Sequence, residues 1–225
     1  IMELLQAVKE RHSVRQYLDK PIETDKVAEL KIFIDECNKS GNLHFQLVLN
    51  EPKAFDSFMA HYGKFSGVKN YVALVGKNGG TTEETIGYYG AKLILFAQTL
   101  GLNTCWVALT YKKVKTAFTT ETDEKLYSLI ALGYGKTQGV QHKSKAEAEV
   151  SSSNCAQIPE WFENGVKTAL LAPTAVNQQK FHFSLNADNS VSATTKGGFY
   201  TKMDLGIAKY FFELGAGDDH VNWKE

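Results

Sequence analysis

A chain of 225 residues in which 25 basic side chains balance 25 acidic ones is long enough to bury a core without disulfides or metal. Zero formal charge leaves no field to draw it to nucleic acid or to an anionic membrane surface. Its three cysteines lack CxxC or Cys/His spacing and suggest no metal site; with no apolar run of about 18 residues, a reduced, cytoplasmic protein is expected.

In chain order, "MELLQAVKE" (residues 2–10) places Leu4, Leu5 and Val8 at helical spacing and runs into the basic "RHSVR". In "PIETDKVAELKIFIDEC", Thr24 is expected to cap a second amphipathic helix, and "HFQLVLN" reads as a short strand. Further strands are expected at "NYVALVG" (70–76) and "YSLIALGYG" (127–135). Between them "TEETIGYYGAKLILFAQTLGLN" has the length and apolar content of a largely buried helix ending near Gly101. Residues 135–157 turn polar, basic and then serine-rich, which suggests a surface excursion or linker. After Pro159 a helix is expected at "EWFENGVKTALL", then a strand at "KFHFSLN", a hairpin partner at "SVSATTKG" and a last amphipathic helix at "DLGIAKYFFELGA".

The order helix, turn, strand, helix therefore occurs twice. "KIFIDECNKSGNLHFQLVLN" parallels "KTALLAPTAVNQQKFHFSLN", and each copy ends in an L-G turn, "TLGL" and "ELGA". Pattern alone leaves duplication and coincidence equally open. A duplication divides the chain into residues 2–150 and 158–225.

Two glycine-containing stretches fail as phosphate loops. In "LIALGYGKTQG", Ile130 stands where a P-loop needs its first glycine, and no apolar helix follows; "GKNGGT" fails similarly. The histidines show no HExxH spacing and no serine lies in GxSxG, so hydrolase chemistry has no support. The residues that do carry chemistry are Arg11, His12, Ser13 and Arg15 of "ERHSVRQY". Arg11 and Arg15 are the only two arginines in the chain, four positions apart, with an imidazole and a hydroxyl between them. Guanidinium forks suit a phosphate monoester, and Lys143 and Lys145 follow the last strand of the first part, where the chain could return to the same place.

"RHSVR", followed by "GLNTCWV", "IALGYG", a "KSK" segment and the turn "APTAVNQQ", resembles the FMN-dependent nitroreductase family in order and spacing. The resemblance implies an α+β fold with an antiparallel-rich sheet flanked by helices. It also implies a homodimer with FMN at the subunit interface, where the turn of one subunit covers a flavin whose phosphate is held by the arginine segment of the other. Here the arginines lie in the first half and the well-preserved turn in the last. The chain thus most resembles the tandem-repeat subgroup, an internal duplication in which a single chain is a pseudo-dimer with one flavin.

Carried over residue by residue, the resemblance pairs Arg11 and Lys145 with the phosphate, assisted by Lys143, and His12 and Ser13 with phosphate or ribityl oxygens. Arg15, with Lys64, would lie at the pyrimidine edge, where positive charge favours reduced flavin. Trp106, Val107, Ala108 and Leu109 occupy the loop whose backbone, at Ala108, would donate to flavin N5. The family's usual glutamate and glycine are absent there, and for Trp106 burial in the core stays as open as flavin contact. Pro173, Thr174, Ala175, Asn177 and Gln179 match the covering turn. The activity implied is hydride transfer from NADH or NADPH to FMN, and then to a nitroaromatic or quinone-like small-molecule acceptor. A flavin-binding or storage protein, or a reductive dehalogenase or flavin-fragmenting relative, remains as an alternative, and further self-association stays open.

Overall fold

The structure, a computed structural model, describes residues 3–217 and 220–224. The chain forms two compact units, each drawn from separate stretches of sequence. The first gathers residues 10–82 and 93–141 with Glu3; the second gathers 4–9, 83–92, 142–217 and 220–224.

Helix α1 (Leu4–Glu10) buries Ala7 and Val8. Leu4 and Leu5, which the spacing assigns to the same face, are 40% and 50% exposed. In the first unit α2 (Thr24–Gly41) takes in Thr24, its expected cap, as its first helical residue. Glu23, not Thr24, has the extended backbone of an N-cap, and its carboxylate accepts from the Tyr134 hydroxyl and pairs with Lys20. Strand β1 (His44–Val48), helix α3 (Phe58–Tyr62), strand β2 (Asn70–Lys77), helix α4 (Thr82–Thr99), strand β3 (Asn103–Val107) and strand β4 (Glu124–Gly133) follow. The four strands make one antiparallel sheet in the order β1-β2-β4-β3.

β2 is buried on both faces, and period-two alternation decides which residues share one of them. Tyr71, Ala73 and Val75 of β2, Cys105 and Val107 of β3, and Leu129 and Ala131 of β4 form one apolar layer with Val14, Phe55 and Phe65. Phe33 of α2 stacks on Phe96 of α4, ring centroids 4.2 Å apart. α4 ends as expected, with Gly101 beyond it at φ +75°.

The second unit contains α5 (Glu147–Val150), β5 (Ser151–Ser153), α6 (Glu160–Ala169), β6 (Phe181–Leu185), β7 (Val191–Thr195) and α7 (Thr201–Ala216). β6 and β7 are the expected antiparallel hairpin. The serine-rich excursion corrects its reading as a linker, because it supplies β5, paired in parallel with β6. Hydroxyls suit that place: Ser152 Oγ lies 3.0 Å from both His182 Nε2 and Ser184 Oγ on the exposed side. Phe183 and Phe162 flank Phe212, centroids 4.6 and 5.5 Å away, and α6 packs on α7. The "ELGA" turn is also corrected. Gly215 stays helical, and it packs so close to α6 that a Cβ there would meet the Asn164 carbonyl oxygen at 2.5 Å.

Residues 83–92 of α4 meet α7 through two glycines. A Cβ on Gly87 would lie 2.0 Å from the Met203 carbonyl oxygen and 3.1 Å from Ile207 N; one on Gly206 would lie 1.9 Å from the Glu84 oxygen and 2.8 Å from Tyr88 N. Each glycine faces the residues three before and one after the other, the reciprocity that a two-fold axis produces. Tyr88 Oη donates to Glu213 (2.5 Å) and Lys209 Nζ to Glu84 (2.8 Å) beside this contact. Among the described residues no helix is long and apolar enough to cross a membrane.

Candidate functional site

In the first unit the arginine motif is laid along the sheet by three isolated bridges. Ser13 pairs with Thr104 of β3 and Gln16 with Ser66, both in parallel, and Tyr17 pairs with Gly135 antiparallel. The Val14 N–H donates to the Thr104 carbonyl at 3.0 Å, and the Ser66 N–H to that of Arg15 at 3.0 Å. Arg11 is buried, 3% exposed, and its Nε has no acceptor among the described residues. Burial lowers the guanidinium from 12.5 to about 10, with Cys105 acting in the opposite direction. A buried cation with an unmet donor is the chemistry of an anion site.

Around Cys105 the two arginines and Ser13 converge. Burial raises the thiol's pKa, while Arg15, Arg11 and a hydrogen bond from Ser13 lower it. The Ser13 hydroxyl is therefore engaged inside the protein. Arg15 is exposed, its guanidinium carbon 5.9 Å from the Phe65 ring centroid, and the Gln16–Ser66 bridge brings it to the stretch that holds Lys64, also exposed. His12 is half-buried. The chain after β4 returns to it at Gly139 (φ +73°), where a Cβ would stand 2.8 Å from His12 Cβ. Asn103, which no motif marks, secures that return: Oδ1 accepts from the Gly135 N–H and Nδ2 donates to Gln138 Oε1, both at 2.9 Å.

The loop after β3 divides into anchored and open residues. Trp106 is half-buried and its indole N–H donates to Ser128 Oγ at 2.8 Å, while Val107 joins the apolar layer. Ala108 is half-buried and Leu109 is 66% exposed. The end of α3 braces this loop, since a Cβ on Gly63 would meet Thr110 Oγ1 at 2.6 Å. A cavity of about 230 Å³ in the same unit, lined by Tyr17, Lys20, Asn50, Gly67, Lys69 and Gly133 among others, contains none of the candidate residues.

In the second unit Pro173 follows α6, and a short 3-10 turn (Ala175–Asn177) leads to β6. The Asn177 N–H donates to the Thr174 carbonyl (2.9 Å) and the Gln179 N–H to Thr174 Oγ1 (3.1 Å). Gln179 is buried. Its Oε1 accepts from the Lys145 N–H (3.0 Å), and its Nε2 donates to the Lys143 carbonyl (2.9 Å) and Asn177 Oδ1 (2.8 Å). Asn177 Nδ2 donates to the Lys143 carbonyl (2.8 Å) and Lys145 Nζ to the Gln179 carbonyl (2.8 Å). The lysine segment is thus laced to the turn, with one ammonium donor of Lys145 already used.

The residue that motif reading misses is Asp204, whose oxygens accept from the Ala175 N–H (2.9 Å) and Gln178 Nε2 (2.7 Å). In sequence it is an ordinary first-turn acid of α7; only tertiary structure brings it to the turn. Burial pushes its carboxyl from 3.8 up to about 6, against the lowering effect of the Ala175 and Gln178 bonds. The folded form then binds more protons than the unfolded chain between about pH 4 and 6. Stability therefore falls as pH rises through that window, by on the order of 3 kcal/mol in full. Asp204→Asn is expected to remove this dependence: urea midpoints should show the variant gaining on the native protein at pH 7 and not at pH 4.

A family model described as "Putative TM nitroreductase" matches residues 3–216. No curated protein sequence matches the chain. A solved structure from Thermotoga maritima, described as a "putative nitroreductase", is similar with a TM-score of 0.68 at 20% identity, covering 95% of this chain and 83% of that one. A "Putative NADH Oxidase" from Clostridium acetobutylicum reaches 0.49 at 18% identity, covering 63% of this chain and 96% of that one. A "putative nitroreductase in complex with fmn" from Desulfovibrio desulfuricans reaches 0.49 at 16%, covering 71% and 98%. The Thermotoga structure carries the fold assignment: α+β, nitroreductase-like and rich in antiparallel pairing.

Proposed function

The chain belongs to the "Putative TM nitroreductase" family, and from that premise we propose that it is an FMN-dependent NAD(P)H oxidoreductase. One observation carries the cofactor: the buried Arg11 guanidinium, whose Nε has no acceptor among the described residues. A phosphate monoester supplies the charge and the acceptor together. When bound, FMN supplies hydride chemistry between NADH or NADPH and a nitroaromatic or quinone-like acceptor.

The chain's own residues bind and orient. Arg11 is the main phosphate partner, with Lys143 and Lys145 in support and His12 and Ser13 beside it. Arg15 and Lys64 put positive charge at the pyrimidine edge. The Ala108 backbone, with Trp106, Val107 and Leu109, serves the N5 side, and Pro173, Thr174, Ala175 and Asn177 form the cover. No side chain needs to move a proton, so positioning and charge are the protein's share.

The chain is read as a tandem repeat in which α2-β1-β2-α4 and α6-β6-β7-α7 are the corresponding series. The reciprocal contact of Gly87 and Gly206 supports this pseudo-dimer. The last turn of α2, helical through Gly41, lines up with Thr174–Asn177, where the second copy breaks at Pro173 to build its turn. One arginine motif and one turn make one flavin per chain. Reconstitution with excess FMN, desalting and flavin absorbance should give one flavin per chain. A protein that stays colourless overturns the cofactor, and two flavins per chain overturn the single site.

A further inference from the structure

The turn that follows α6 is held in a conformation its residues do not favour. Val176, Asn177 and Gln179 have φ of 47°, 55° and 43°. For a β-branched valine this is an outlier, and its side chain is 81% exposed, so no packing compensates the strain. Two grips impose it. On one flank Gln179 is bonded to Lys143, Lys145 and Asn177. On the other Asp204, 3% exposed, accepts from the Ala175 N–H and from Gln178 Nε2, an amide that also donates to the Phe199 carbonyl at 3.1 Å.

The second grip runs against stability. No ion pair of Asp204 is present among the described residues. Its buried carboxylate therefore receives only neutral donors, and burial prevails over them. A charge kept at that cost, beside a strained turn with an exposed edge, is a device for placing that edge.

We propose that Asp204 is a positioning residue for cofactor binding: it fixes the 174–179 turn in its left-handed form, so that the exposed Asn177 is presented to the flavin. This rests on the FMN reading above. Asparagine at 204 keeps an acceptor for the Ala175 N–H but removes the charge that holds both donors. Glycine at 176 keeps the backbone form without the strain.

The test compares the native protein, Asp204→Asn and Val176→Gly at pH 7.5, using thermal midpoints without FMN, hydrogen exchange of the 175–179 amides without FMN, and FMN affinity by fluorescence quenching. For Asp204→Asn the expected results are a Tm raised by about 2–6 °C, faster exchange at Ala175, and FMN binding weakened about tenfold or more. Val176→Gly should bind FMN within about threefold of the native protein. A merely structural role predicts Tm and affinity falling together, and that outcome overturns the proposal, as does native affinity in Asp204→Asn. If the native protein fails to bind FMN, the cofactor reading fails by itself. Unchanged Ala175 exchange would then still overturn the positioning role, and faster exchange would support it.

Discussion

Arg11→Met is expected to abolish retention of FMN through desalting while raising the stability of the FMN-free protein. The two effects share one cause. Holding a guanidinium in a site that lowers it to about 10 from 12.5 costs on the order of 3 kcal/mol at neutral pH, where both folded and unfolded forms are charged. Methionine fills comparable volume without that charge, a change that is often neutral or stabilising when a buried ion is replaced. Each charge-assisted bond to phosphate contributes about 1.5–3 kcal/mol, so losing a two-bond fork should weaken binding by a factor of about 100 or more. Lys145→Ala should weaken binding less, because its Nζ already donates to the Gln179 carbonyl. Lys167, whose side chain is 52% exposed and paired with Glu163 on α6, should be replaceable by alanine without effect. Fluorescence titration and thermal melts of the three variants check this; equal FMN retention in all three refutes the phosphate assignment.

Gly206→Ala is expected to be the most damaging single-methyl change in the molecule. The added carbon would stand 1.9 Å from the Glu84 carbonyl oxygen, which is backbone and cannot turn aside. Relief requires α7 and the first turns of α4 to separate, losing the packing around Ile207 and Tyr88. A cost of about 4 kcal/mol or more is reasonable for such overpacking, which corresponds to a fall in Tm of roughly 10 °C or more. Reciprocity demands the same of Gly87→Ala, where the obstacle is the Met203 carbonyl. Gly197→Ala, with no atom within 4 Å of its Cβ, should shift stability by no more than about 0.5 kcal/mol. Melting Gly206→Ala within a few degrees of the native protein would contradict this account of the helix pair.

What could be read from sequence was what local physics decides. β2 is a short continuous apolar run, β6 alternates as a strand should, and α4 is long, apolar and followed by Gly101. The arginine motif stood out because a chain that otherwise uses lysine employs its two arginines together. Failures occur where a distant partner outweighs local preference. Thr24 loses the cap position to Glu23, whose carboxylate is drawn to Tyr134 and Lys20. The Ser151–Ser153 segment has no apolar alternation and becomes a strand because β6 offers it an edge. Asp204 lies 29 positions from Ala175 and no motif joins them; their bond exists only once α7 and the turn are folded. Gln179, named as part of a cofactor cover, proves to be the buried hub tying Lys143 and Lys145 to that cover. The glycines at 87 and 206 look like ordinary helix defects until their reciprocal contact is seen.

A chain that binds FMN and passes electrons from a nicotinamide through it, as proposed above, reports each step in the colour of its flavin. The most direct test is an anaerobic titration of the FMN-reconstituted protein with NADH and with NADPH, read at the flavin absorption band, followed by addition of a nitroaromatic or a quinone. Rapid bleaching by at least one nicotinamide at one equivalent per flavin is expected, with full recovery of the band when the acceptor is added. A yellow protein that neither nicotinamide bleaches would be a flavin binder rather than an enzyme, and would contradict the proposed function.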